Sequence, residues 1–397
     1  MGRSTGSLMA GALGMLLAGV LCASQEADPA KEPQDLPEII PDPSSGDWAV
    51  DRFAGNSTAG PAFFQGPARE VGGLGRCGAC PLPDGRVLIP FSEGLAEVDA
   101  GGTLRLVLEG RILFATTGQV TANVMACSPD DGKVYVAGPN CVRRLVERPD
   151  GPWELEGVAG VPGKEGFADG PAGEATFMRI DSIVAVRGGA LIVLDANERI
   201  RRIEKGQVTT ISDAVRRGPL LDGPLEGARF NMIGLGGNLC GGEDDDALYL
   251  SDHWNFAVRR IDLKARTVTT VAGMPRPSGP SPRGKRYNRN SDGPALTWAS
   301  FNSGCAYVCW DPFHRALWCG GPDENRFRWL KDGQVSTVIG ARGDSRWPRD
   351  GLGTPAEKVR MSWNAVVAVD AAGRAYLSCS EQPDGLWRAC NRKEAGR

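Results

Sequence analysis

VAGVPGKEGFADGPAGEATFMRIDSIVAVRGGALIVLDANERIRRIEKGQVTTI, residues 158–211, is the stretch whose reading decides the fold. It opens on a short apolar run closed by Gly160. A turn-rich connection follows, carrying Asp169-Gly170 and then Ala175-Thr176-Phe177. Four short β-branched runs come next, at 182–186, 190–194, 199–203 and 207–211, separated by Gly, Asp and Asn turns. That pattern predicts one antiparallel sheet of four strands. Such a sheet cannot bury both faces by itself, so copies of it are expected along the chain.

The copies are present. Residues 266–273 (RTVTTVAG) and 333–340 (GQVSTVIG) repeat the last strand. Asp222-Gly223 before Ala228-Arg229-Phe230 repeats the connection, as does Asp292-Gly293 before Ala299-Ser300-Phe301, with a weaker copy at Asp350-Gly351. The hairpin at 190–203 returns at 247–261, where Asp252 and Asn255 answer Asp195 and Asn197, and again at 133–145 and 316–330. Terminal glycines at 55, 110, 160, 273 and 340, with the equivalent stretch at 211–214 between, divide the chain into six units. Their period of roughly fifty residues is that of propeller or solenoid repeats.

The Asp-Gly…Ala-x-Phe connection, the hairpin LYLSD…N…RRI at 248–261 and the strand VTTVAG at 268–273 resemble the NHL-repeat family of β-propellers. The resemblance covers about residues 47–392, closely in units three and four. The insert at 275–291 departs from it, as does the missing hairpin Asp of units one, two and six. It implies an all-β, six-bladed propeller of four-stranded antiparallel blades and no single activity, since a fold carries many functions.

Unit one starts with an unaccompanied last strand, AVDRFAG at 49–55, and the final unit supplies only three, at 365–369, 375–378 and 386–390. The N-terminal strand is therefore expected to complete the last blade and close the ring, which removes exposed sheet edges.

Outside the repeats, residues 1–23 hold one early cation, Arg3, an apolar run and small residues, as an export signal does. Cys22 would be a lipid-attachment site, but Leu21 stands where the lipoprotein pattern wants Gly or Ala. Residues 24–46, rich in Pro, Glu and Asp, read as an extended tether, and 393–397 as a tail. The protein is thus expected outside the cytoplasm, periplasmic or secreted, on a membrane only if Cys22 is lipidated, and monomeric.

The formal net charge of −3 and the lack of a basic block argue against nucleic-acid binding, which needs clustered cations. The Arg pairs at 143–144, 201–202 and 259–260 fall at one repeat position and read as a solvated charged face on the outer strands. Ten cysteines remain after the leader, with no connectivity readable from sequence. Cys80, Cys127, Cys240 and Cys309 fall in innermost strands, as core filler or as disulfide partners. Cys77-Gly-Ala-Cys80 has redox spacing but no helix start behind it. His253 and His314 fall in turns expected to be exposed, and no Ser/His/Asp or Cys/His set can be assembled.

Site candidates come from propeller geometry. The segment before each innermost strand opens onto the channel mouth, where related propellers hold ligands. Those positions hold Asn123, Asp181, Cys305 and Asn364, with Arg179, Asn231, Asn302 and Trp363 nearby, and Asn123, Arg179, Asp181, Asn302, Trp363 and Asn364 are the ligand-binding candidates. Calcium-dependent lactonases, also six-bladed, place a Glu/Asn/Asn/Asp set at such a mouth, and oxygen ligands suit a hard cation. Here the matching Glu is absent. No catalytic residue, metal or cofactor is assigned, and Asp and Asn also serve simply as turn formers. The expectation is a scaffold binding a protein, small-molecule or glycan ligand. The alternative is a metal-assisted lactonase or lyase working at the mouth.

Overall fold

A computed structural model describes residues 40–55, 65–71, 74, 77–91, 94–109, 124–148, 151–196, 199–213, 220–232, 238–273, 290–301, 304–321, 326–340, 354–359, 364–379 and 385–394. The leader, the tether as far as Ile39, most of the insert at 275–291 and the candidates Asn123, Asn302 and Trp363 lie outside these residues.

The founding stretch folds as its sequence predicts. Ile180–Val186, Ala190–Asp195, Arg199–Glu204 and Gln207–Ser212 form a meander in that order from the axis outward. Its first two strands alternate between apolar sheets on either side, so almost every residue of Ala190–Asp195 is buried. Five further sheets repeat this plan, making a six-bladed β-propeller. In chain order from Gln65 we number the blades I to VI; the founding stretch is blade III.

Ring closure follows the expected route. Trp48–Ala54 pairs antiparallel with Gly385–Asn391 and becomes the outer strand of blade VI. Trp48 is fully buried there, edge-on to Trp318 and Trp329 of blade V at 5.4 and 5.9 Å.

Five of the six described sheets have a fifth, short strand beyond the predicted four. In three blades it comes from the Asp-Gly connection, where Gly170–Pro171, Gly223–Pro224 and Gly293–Pro294 each pair with the outermost strand of their own blade. Its glycines have φ of +131°, +132° and +139°, which a side chain rarely tolerates. The connection thereby covers a sheet edge that would otherwise be open.

Apolar clusters fill the spaces between neighbouring blades. One runs between III and IV (Ile192, Leu194, Phe230, Leu248), another between V and VI (Trp48, Trp318, Trp329, Trp387). Near the axis, side chains stitch adjacent blades together. Leu239 donates its N–H to Ser182 Oγ at 3.1 Å, and Val308 donates to Asn238 Oδ1 at 2.7 Å.

Residues 40–42, the described start of the predicted tether, lie against blade V. Asp42 N–H donates to Thr337 O at 2.8 Å, Thr337 N–H donates to Ile40 O at 3.0 Å, and Ile40 N–H donates to Asp292 Oδ2 at 2.8 Å. Asp42 Oδ2 also accepts from Trp329 Nε1 at 2.8 Å.

Candidate functional site: the channel mouth

The repeated motif residues turn out to build blades rather than a site. Arg201 and Arg259, read from the sequence as solvent-facing, are completely buried. Arg201 donates to Asp195 Oδ2 at 3.0 Å, to Asp169 Oδ1 at 2.7 Å and to the carbonyls of Thr176 and Ala168, and its guanidinium lies 4.5 Å over the Phe177 ring. Arg259 makes the same set with Asp252, Asp222, Arg229 O and Leu221 O, over Phe230. Arg328 repeats the arrangement over Phe301 with Ser291 O and Ser300 O. The free oxygen of each connecting Asp takes a threonine: Thr210 and Thr270 donate through backbone N–H, Thr337 through its hydroxyl. A buried charge persists only when paired and hydrogen-bonded, so each Arg locks a connection to its own sheet. Burial pushes the Asp195 and Asp252 carboxyls up from their usual range, against the pull of the guanidinium and backbone amides. The second Arg of each pair, Arg202 or Arg260, does stay at the surface, paired with Glu204 or Glu243.

Both histidines depart from expectation as well. His253 is buried, and a Cβ on Gly304 would meet its ring at 2.5 Å. The His314 ring is buried too, with Nδ1 2.8 Å from Asp311 Oδ2 and Nε2 2.8 Å from Glu394 Oε2. Cys80, Cys127, Cys141, Cys240, Cys309 and Cys390 are free thiols. Burial pushes the Cys80 thiol well up, which disfavours the thiolate that redox chemistry at Cys77-Gly-Ala-Cys80 would need.

At the mouth, the end of the barrel where the innermost strands begin, blade III supplies the predicted Arg179 and Asp181. Asp195 fixes their backbone by accepting the N–H groups of Met178 and Arg179 at 2.9 and 3.0 Å. The Arg179 side chain then folds onto the next-but-one residue, with Nε donating to Asp181 Oδ1 at 2.6 Å and Nη2 to Oδ2 at 3.2 Å. Arg179 is about one-third exposed and Asp181 is 12% exposed. Asn364 begins the innermost strand of blade VI, Asn364–Val369, at the equivalent place. The sequence did not single out Met178, which is 36% exposed beside this pair. Trp254 is 47% exposed on the same end in blade IV. Among the described residues, no three His, Cys, Asp or Glu side chains converge so as to hold a metal ion.

Comparison with protein-family models yields no match, and comparison with curated proteins yields none. Solved structures do match. A structural genomics protein of unknown function from Bacteroides thetaiotaomicron is 14% identical over 86% of this chain and 76% of that one, with a TM-score of 0.61. Auxiliary nutrient binding proteins from Bacteroides thetaiotaomicron and Bacteroides ovatus are 11% and 12% identical over the same shares, with TM-scores of 0.58 and 0.56. At such identity the likeness is one of fold.

Proposed function

We propose that this propeller is an NHL-type binding module, working outside the cytoplasm, that holds its ligand at the channel mouth on blades III and IV. The observation that carries the reading is the bidentate Arg179–Asp181 pair. An Asp already engaged by a guanidinium two residues away is poorly placed to ligate a hard cation, whereas a partly exposed ion pair offers donors and acceptors to a polar ligand. Exposed Met178 and Trp254 add apolar surface of the kind binding sites use. The leader-like residues 1–23 support an extracytoplasmic setting, and the Arg-clamped Asp-Gly…Ala-x-Phe connection supports the NHL assignment.

The test is thermal shift on the purified chain, because a ligand of the native state raises its apparent stability. Calcium is expected to leave the melting temperature unchanged. Within a panel of saccharides, amino acids and short peptides, one class is expected to raise it, and Trp254→Ala to remove that shift. Stoichiometric calcium with a shift abolished by Asp181→Ala would replace this reading with the lactonase-like one and call for a lactone and ester screen.

A further inference from the structure

On the end of the propeller opposite the mouth, blades IV and V part to leave a cleft of about 730 Å³. Small-molecule sites occupy about 300–1,000 Å³. Tyr249 and Trp310 form one wall, their rings stacked at 5.9 Å with an interplanar angle of 16°. Val271, Leu317 and Leu330 continue the apolar lining, and Leu296 stands 58% exposed at the rim.

The charges around this cleft divide into two kinds. Glu243 is already met: Tyr249 Oη donates to one oxygen at 2.7 Å and Arg260 Nε to the other at 2.8 Å. His314 is held between Asp311 and Glu394. Arg315 and Lys331, by contrast, line the lip without an ion pair to any described residue; Lys331 Nζ rests 5.3 Å over the Trp329 ring. Asp332 is exposed at the neighbouring turn, so at the lip itself Arg315 and Lys331 set two cations against one exposed carboxylate. An apolar interior with cations at its wet edge is complementary to an anion that has an apolar body. The body loses water while the charged group keeps both solvent and a cation.

We propose that the cleft between blades IV and V binds a small amphipathic carboxylate, an aryl or alkyl acid. Its body lies along Trp310 and Leu296 and its carboxylate sits at Arg315 and Lys331. The corresponding cleft between blades VI and I, about 580 Å³, has Arg69 where this one has Leu296, with Arg374 and Arg388 beside Tyr376. It lacks the apolar entrance and is not expected to share the specificity. The assignment goes beyond the channel-mouth reading and stands independently of it.

Calorimetric titration of the full chain with naphthalene-2-carboxylate and with naphthalene-2-carboxamide tests it. The acid is expected to bind at one site, with the amide about tenfold weaker for want of the charge-assisted contact. The double variant Arg315→Gln/Lys331→Gln should bring the acid down to the amide's affinity, and Leu296→Asp should abolish both. All three positions lie outside the buried core, and an unchanged melting temperature for the variants checks that they fold. Equal affinity for acid and amide, no binding of the acid at millimolar concentration, or binding indifferent to Leu296→Asp would each overturn the proposal. Trp254→Ala should leave the acid's affinity untouched, which separates this site from the mouth.

Discussion

Arg259 sits where a solvent-facing residue was expected, because alternation along a strand says which side a residue takes and not what covers that side. The connecting segment covers it, and Asp222 and Asp252 supply the two carboxylates that make the buried position tolerable. Removing one partner of a buried pair leaves the others uncompensated and typically costs about 3–5 kcal/mol. Arg259→Ala is therefore expected to lower unfolding free energy by that order in denaturant titration, and Arg260→Ala, one residue on and only partly buried, by clearly less. Equal losses would mean that the clamp is not what holds the connection. Repeat alignment put Arg179 and Asp181 at the start of an innermost strand, because the repeat fixes where such a strand begins. Their mutual pairing was not legible, since it depends on a rotamer choice that no spacing encodes.

Turns and tails tie together what the strands leave loose. His314, in the turn between the first two strands of blade V, reaches the C-terminal segment through Glu394 and its own blade through Asp311. Trp48 and Trp329 pack on its ring at 5.1 and 5.5 Å. Burial alone would lower the imidazole's pKa, but the two carboxylates outweigh it and raise it above the ordinary 6.5. A folded-state pKa above the unfolded one gives stability that is complete below pH of about 6.5 and is lost as pH rises through the folded value. The melting temperature of the native chain should fall over that interval, and His314→Gln should flatten the profile. A native profile as flat as the variant's would remove the latch. Strand positions were nearly all readable from hydrophobic periodicity. The short fifth strands were not, because an Asp-Gly-Pro sequence reads as a turn and becomes a strand only through the edge it lands on.

Six sheets packed face to face form a ring only if the last meets the first, and here an offset of one strand does it. Trp48–Ala54 contributes both a ladder to Gly385–Asn391 and a buried indole between blades V and VI. Loss of a buried tryptophan alone costs about 3–5 kcal/mol. Deleting residues 47–56 should thus shift the entire thermal transition downward as one step instead of adding a minor early phase. A truncated protein that melts like the full chain would show that the ring is held elsewhere. The overall plan was legible in the sequence because a repeat multiplies a weak signal. The inter-blade clefts were not, because each is made by residues from two units that no single repeat contains.

The docking of residues 40–42 on blade V has a mechanical consequence. A pull arriving at Ile40 reaches the closing strand on blade VI only after the bonds to Thr337 and Asp292 have given way on a different blade. Those contacts act as strain relief does on a cable, so that tension from upstream is borne by blade V while the seam of the ring stays unloaded.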